Sequence, residues 1–425
     1  MHKALPLILV YFLLISSTAS TQSLPLRGSF GAELEQTSHG IQINTVFPGT
    51  TADDLFIKAN DILVTLNGNS YPELSDLIEE IQTWREGDSL VVRIKRGREL
   101  IDNSGVVKGR TKEETEGGIT TYGTVPYSEG LLRSILVVPE NVTNPPTIYF
   151  LQGVGCASID YAFNPNSTVK LLINDLVSDG FAVYRVEKPG MGDSQSEVHC
   201  LQMDFSQEVS AFEAGVNTLF KIPDIDANKI ILFGESLSSV TVPYLASKYP
   251  VKGIVNWGGL HQNWYEYYMS LHVNQKRLLG WSEKEIDKNY KEIQPFYEDY
   301  LLNGLTPKQL EHKGYKKLVK RYFLQDSTRS GLHHYKYFQT LARWEPLEWY
   351  KKINCPVLSL AGEHDIHTAN SEWAKEISRV VNESNPDSGV WKIVPETTHH
   401  YFRIVSFEEY IKARIGGLIN ANFMA

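Results

Sequence analysis

Ser236, Asp365 and the pair His399-His400 stand out in this 425-residue chain as a set suited to nucleophilic chemistry. Ser236 lies in Ile231-Leu-Phe-Gly234-Glu235-Ser236-Leu237-Ser238, which reads as a strand, a tight turn and a helix start. In a Gly-x-Ser-x-Gly turn, small flanking residues permit a strained backbone that lifts the hydroxyl above a sheet. Here Ser238 replaces the second glycine, and it is still small enough for close helix–strand approach. A serine hydroxyl is a poor nucleophile at neutral pH and needs a base, which in turn needs an orienting acid. Ala361-Gly362-Glu363-His364-Asp365 offers Asp365 as the acid, with Glu363 as a competitor earlier in the turn. Val394-Pro395-Glu396-Thr397-Thr398-His399-His400 offers the base.

The elements that must position these groups alternate in kind. Strands are expected at 147–151, 181–186, 229–233, 251–257, 356–361 and 390–394, and helices at 169–177, 205–220, 237–249, 370–381 and 407–418. Two further strands, 119–127 and 131–138, precede them. Such alternation predicts an α/β fold with a mostly parallel sheet and helices on both faces. Functional loops then belong at the carboxyl ends of the strands, where all three candidate groups fall.

With serine, acid and histidine in this order at strand ends, residues 119–425 resemble the α/β-hydrolase superfamily, esterases and serine aminopeptidases among them. The resemblance implies a Ser-His-Asp triad and an acyl-enzyme intermediate in the cleavage of an ester or related acyl bond, with no cofactor and no metal. A last-strand loop with its histidine four residues after Pro395 favours His399, whereas an aromatic pair directly after the histidine favours His400. An oxyanion hole needs two backbone N–H groups. By resemblance they are those of Leu237 and Val154, with Gly153 the nearest alternative in Leu151-Gln152-Gly153-Val154-Gly155. Glu187-Lys188-Pro189-Gly190-Met191-Gly192 matches the family's turn after a central strand, with structural glycines. Cys156 and Cys200 follow strands that neighbour each other in this fold, so they are a candidate disulfide. Residues 260–349 take the place of a helical lid, and their aromatics read mainly as lid core. Within the lid, 313–321 reads as a solvated basic face, and His333-His334 lacks partners at metal-ligand spacing.

Ahead of this domain, residues 27–98 alternate and turn like a small β-rich unit. Phe30-Gly31-Ala32, the turn at 46–52, Asn60-Asp61-Ile62-Leu63 and Asn67-Gly68 resemble a PDZ domain of the kind found in secreted bacterial proteases. That resemblance implies an extended peptide added to a strand edge, its carboxylate held by backbone N–H groups. Glu33 and Glu35, just after the proposed ligand loop, are expected to oppose a carboxylate. Residues 99–118, rich in charge, Gly and Ser, read as a linker.

Met1-His2-Lys3, an apolar run over 4–15 and small residues over 16–21 have the plan of a signal peptide, with cleavage after Ala19 or Ser20. The run is short for a bilayer span, so an exported protein, periplasmic or secreted and without stable membrane insertion, is expected. A net charge of -9 argues against nucleic-acid binding. The partners expected are a small acyl or peptide substrate and a peptide ligand at the PDZ-like domain. Two rival readings are a serine peptidase that uses this domain to present peptides, and a non-catalytic peptide-binding adaptor.

Overall fold

The computed structural model describes residues 23–223, 225–323, 328–330, 333–368, 370–404 and 408. The expected signal peptide (1–20) and nearly all of the final helix (407–418) lie outside the described residues.

The first unit is an antiparallel five-stranded sheet of β1 (Ala32–Thr37), β2 (Gly40–Val46), β3 (Ile62–Leu66), β4 (Ser89–Arg96) and β5 (Glu99–Val106), in that spatial order. Leu90, Val92 and Ile94 of β4 point inward while Val91, Arg93 and Lys95 point out, so period-two patterning sets the register. The inner face packs on Leu77 of α1 (Leu74–Thr83).

Here the linker reading of 99–118 is corrected. Residues 99–106 form an edge strand, paired from Arg96↔Glu99 to Ser89↔Val106. Most of β5 is exposed, so it lacks the apolar alternation by which a strand is recognised. Lys108–Gly109 then pairs antiparallel with Gly28–Ser29, which brings the entry and exit of the unit together. The flanking residues grip the second domain. Arg133 donates to the Leu24 carbonyl (2.7 Å), the Arg27 N–H donates to Asp193 (2.6 Å), and Arg110 pairs with Asp160 (3.3 Å). Beyond them, Glu113 is buried between Lys170 and Arg185, at 2.8 Å from each.

The second domain is built on a nine-stranded sheet among the described residues. Its strands are β6 (Gly118–Tyr127), β7 (Gly130–Pro139), β8 (Thr147–Leu151), β9 (Ala182–Val186), β10 (Ile230–Glu235), β11 (Gly253–Trp257), β12 (Val357–Gly362) and β13 (Gly389–Val394), with Gln195–Ser196 added on β7. The spatial order is β6-β7-β9-β8-β10-β11-β12-β13. It is antiparallel from β6 to β9 and parallel from β9 to β13. β8 and β9 exchange places relative to chain order, and the crossovers carry helices. α2 (Thr168–Ser178) covers one face through Ile173 and Val177. α3 (Phe205–Leu219), α4 (Thr241–Lys248) and, after the lid, α8 (Glu372–Ser384) cover the other. The central strands are buried on both faces and accordingly read as continuous apolar runs. This is the α/β-hydrolase fold. Between β11 and β12 the lid holds α5 (Trp264–Leu278), α6 (Glu283–Tyr297) and α7 (Tyr335–Leu341). Its aromatic core, with Trp264, Tyr268, Phe296 and Phe338, continues onto Leu237 and Leu260 beneath. In the basic segment Leu318 and Val319 turn inward while Lys316, Lys317 and Lys320 face solvent.

Candidate active site

The β10 strand ends at Glu235, and Ser236 follows with φ of +50°, a left-handed conformation a non-glycine residue rarely adopts. The strain is held by tertiary packing: Leu237, Ser238 and Ser239 are buried in the turn that leads to α4. After β12, Asp365 is buried, and one carboxylate oxygen accepts the backbone N–H groups of His367 (2.8 Å) and Thr368 (3.0 Å). The other lies 2.7 Å from His399 Nδ1, and His399 Nε2 lies 2.9 Å from Ser236 Oγ. Because a carboxylate only accepts, Nδ1 carries the proton and Nε2 faces the hydroxyl as an acceptor. Burial would raise the Asp365 carboxyl, but the attraction and hydrogen bond of His399, with His367 and the Thr368 N–H, together outweigh it and hold the group down at about 2.

The structure thus places His399, not His400, between acid and serine. His400 lies to one side, its ring 5.3 Å from that of His399 and nearly perpendicular to it. The His399 carbonyl accepts from Trp257 Nε1 (2.7 Å), which anchors the residue to the end of β11. Gly258, at φ +56°, lies so close that a Cβ there would fall 2.6 Å from the His399 ring. Glu363 is occupied elsewhere, accepting from the Glu396 N–H at 2.8 Å.

The loop after β8 crosses directly over the serine; a Cβ on Gly153 would stand 3.0 Å from Ser236 Cβ. Three successive peptides of this loop are tied by side chains. Ser238 Oγ donates to the Gln152 carbonyl (2.5 Å), and the Gly153 N–H donates to Glu235 (3.1 Å). Lys188 Nζ donates to the Gly153 carbonyl (2.6 Å), and His333 Nε2 donates to the Val154 carbonyl (2.6 Å). Of the two candidate donors, Gly153 is therefore already engaged, while among the described residues the Val154 N–H has no partner. Burial raises the Glu235 carboxyl, opposed by the Gly153 N–H it accepts. Burial pushes His333 down to about 4, so at neutral pH its ring carries a single proton. Cys156 and Cys200 are joined in a disulfide that staples the same loop to the segment before α3. Sequence reasoning placed Lys188 only in a structural turn and weighed His333 only as a metal ligand; no local spacing marks their hold on this loop, since their partners lie 35 and 179 residues away.

In the first unit, a cleft of 420 Å³ runs between β1 and α1. Leu34, Leu74, Ile78 and Ile81 line it, together with Arg27, Arg110 and Phe163. The expected opposition from Glu33 and Glu35 is corrected. Alternation along β1 turns both outward, where Glu33 accepts from Thr45 (2.6 Å) and Glu35 from Asn44 (2.8 Å).

Residues 28–104 match the family model of the PDZ domain. No curated protein matches the chain. Among solved structures, a hypothetical protein from Pseudomonas aeruginosa is 13% identical, with 73% of this chain and 100% of that one covered and a TM-score of 0.43. A Pyrococcus furiosus esterase is 15% identical over 70% of this chain and 90% of its own, with a TM-score of 0.44. The Pyrococcus horikoshii acylaminoacyl peptidase is 13% identical over 81% of this chain and 46% of its own, with a TM-score of 0.41. The strand order and the family match together define the architecture: this chain joins a PDZ-like domain to a domain of the α/β-hydrolase fold.

Proposed function

We propose that the chain is an exported serine hydrolase that cleaves an ester or related acyl bond. The observation that carries this reading is the continuous Ser236–His399–Asp365 hydrogen-bond chain, 2.9 and 2.7 Å long, beneath a loop with an uncommitted N–H. Ser236 Oγ attacks the acyl carbon as His399 Nε2 takes its proton, and Asp365 stabilises the imidazolium. The N–H groups of Leu237 and Val154 receive the oxyanion. The imidazolium then protonates the leaving group, and the same histidine activates the water that releases the acyl-enzyme. Export is supported by the apolar N-terminal run and by the disulfide, which persists in oxidising compartments.

A second reading, a peptidase whose PDZ-like domain presents the chain to be cut, is favoured by the cleft beside β1. Among the described residues the outer edge of β1 is unpaired in the sheet, and two arginines line the cleft, as suits an added peptide strand with a terminal carboxylate.

Fluorophosphonate labelling tests the proposal on wild type, Ser236→Ala, His399→Ala and His400→Ala. Stoichiometric labelling lost in Ser236→Ala and His399→Ala but kept in His400→Ala is expected; ester and peptide panels then separate the two readings. A folded wild type that takes no label, yet binds peptide, would make the chain an adaptor.

A further inference from the structure

We infer that Lys188 is a positioning residue that aims and strengthens the oxyanion-binding N–H of Val154; this rests on the hydrolase reading above. Lys188 sits in the turn after β9 with a wholly buried side chain. A buried ammonium is costly unless paired, so its partners should account for its presence. They close a ring. Lys188 Nζ pairs with Glu208 of α3 at 2.7 Å, and Glu208 accepts the Tyr337 hydroxyl of the lid helix α7 at 3.0 Å. The Tyr337 ring stacks on His333, with centroids 4.0 Å apart, and His333 bonds the Val154 carbonyl. Back at the start of the ring, Lys188 donates to the Gly153 carbonyl at 2.6 Å.

The Gly153 carbonyl and the Val154 N–H are opposite ends of one planar trans peptide. Fixing the carbonyl on Lys188 therefore points the N–H away from Lys188, and no rotation of that peptide is possible without breaking a charge-assisted bond. The ammonium also draws electron density toward the carbonyl oxygen, which makes the N–H at the other end a better donor. Ser238 and Glu235 hold the preceding peptide, and His333 holds the following carbonyl. Among the described residues the Val154 N–H, the group assigned to the oxyanion, is left without a partner inside this clamped run. A lysine that served only to neutralise Glu208 would not need to reach this carbonyl.

The test compares wild type with Lys188→Met, Lys188→Arg and the double variant Lys188→Met/Glu208→Gln, which leaves no unpaired carboxylate in the core. Thermal unfolding, kcat and KM for p-nitrophenyl acetate, and the Ki of phenylboronic acid, which forms a tetrahedral adduct with a reactive serine, are measured on each. The double variant should stay folded and lose about 10- to 100-fold in kcat, a part of what deleting an oxyanion donor costs. KM should hold and boronate affinity should fall by the same factor. Lys188→Arg should recover part of both. If the folded double variant keeps wild-type kcat and boronate affinity while wild type labels with fluorophosphonate, the inference is wrong and the hydrolase reading stands. A wild type that takes no label overturns both.

Discussion

One methyl group on Gly258 should disable the proposed triad while leaving the fold intact. Gly258 follows β11 at φ +56°, and its alanine Cβ would lie 2.6 Å from both Cε1 and Nδ1 of His399 and 3.1 Å from Asp365 Oδ2. Unstrained carbon contacts begin at about 3.5 Å, so the imidazole must retreat by about 1 Å. It cannot retreat freely, because its own carbonyl is bonded to Trp257, on whose ring Tyr401 stacks at 4.8 Å. A displacement of that size opens the contacts to Ser236 and Asp365 together, and misplacement by 1 Å costs about 10²-fold in rate. The left-handed backbone adds a separate penalty of about 1–2 kcal/mol in stability for any residue with a Cβ. Gly280→Ala isolates that second effect, since Gly280 sits at φ +79° with nothing within 4 Å of its Cβ. The assay is the second-order rate of fluorophosphonate labelling at matched folded concentration, with urea unfolding alongside. Gly258→Ala should label about 10²-fold more slowly, and Gly280→Ala at the wild-type rate, with similar losses of stability. Wild-type labelling of Gly258→Ala, or an equal loss in Gly280→Ala, would refute the reasoning.

Three further outcomes follow from buried groups. Glu113→Ala strands Lys170 and Arg185, both buried, and should cost about 3–5 kcal/mol in urea unfolding; a loss below about 1 kcal/mol would mean water reaches the pair. Burial raises the Glu187 carboxyl from 4.5 to about 7, opposed by Ser158 and Ile159. Its folded state therefore holds the proton more tightly, and that stability, complete below pH 4.5, is lost as pH rises through 7. Glu187→Gln should gain on wild type across this window, reaching about 3 kcal/mol; parallel pH–stability curves would contradict this. Finally, Cys355 is buried with its thiol pushed up to about 11, so native protein should take up no alkylating reagent, unfolded protein one equivalent, and reduced unfolded protein three. Two extra equivalents before reduction would exclude the Cys156–Cys200 bond.

Much of this organisation could be read along the chain, and the residues that could not share a physical reason. The β10 turn and the loops after β12 and β13 are strand ends, and strand ends are visible as breaks in apolar runs. That locates Ser236, Asp365 and a histidine pair, because the fold brings parallel strand ends to one edge. It does not choose between His399 and His400; the choice depends on Trp257 and Gly258, more than 140 residues earlier. Lys188, Glu208, Tyr337 and His333 are each ordinary by sequence and acquire meaning only as a closed ring. β5 was hidden because this edge strand turns only Ile101 and Asn103 partly inward and leaves the rest exposed, too little apolar alternation to mark a strand. The outward turn of Glu33 and Glu35, by contrast, was available from alternation with Ala32 and Leu34, had period two been applied to the ligand loop.

The pairing of Gly28–Ser29 with Lys108–Gly109 makes the PDZ-like unit a pendant rather than a bead on a string. Its two ends leave the α/β domain side by side, where the Arg110 N–H donates to the Arg27 carbonyl at 2.9 Å. Removing residues 1–98 would take the Leu24 carbonyl from Arg133 and the Arg27 N–H from Asp193, leaving this buried pair, 2.9 Å apart, with fewer partners. Joining Arg27 to Arg110 through a tight two-residue turn would instead remove the unit and keep both anchoring segments seated. The larger domain thus presents a socket for any module whose termini are adjacent, so the PDZ-like unit can be exchanged for another without altering the core beneath it.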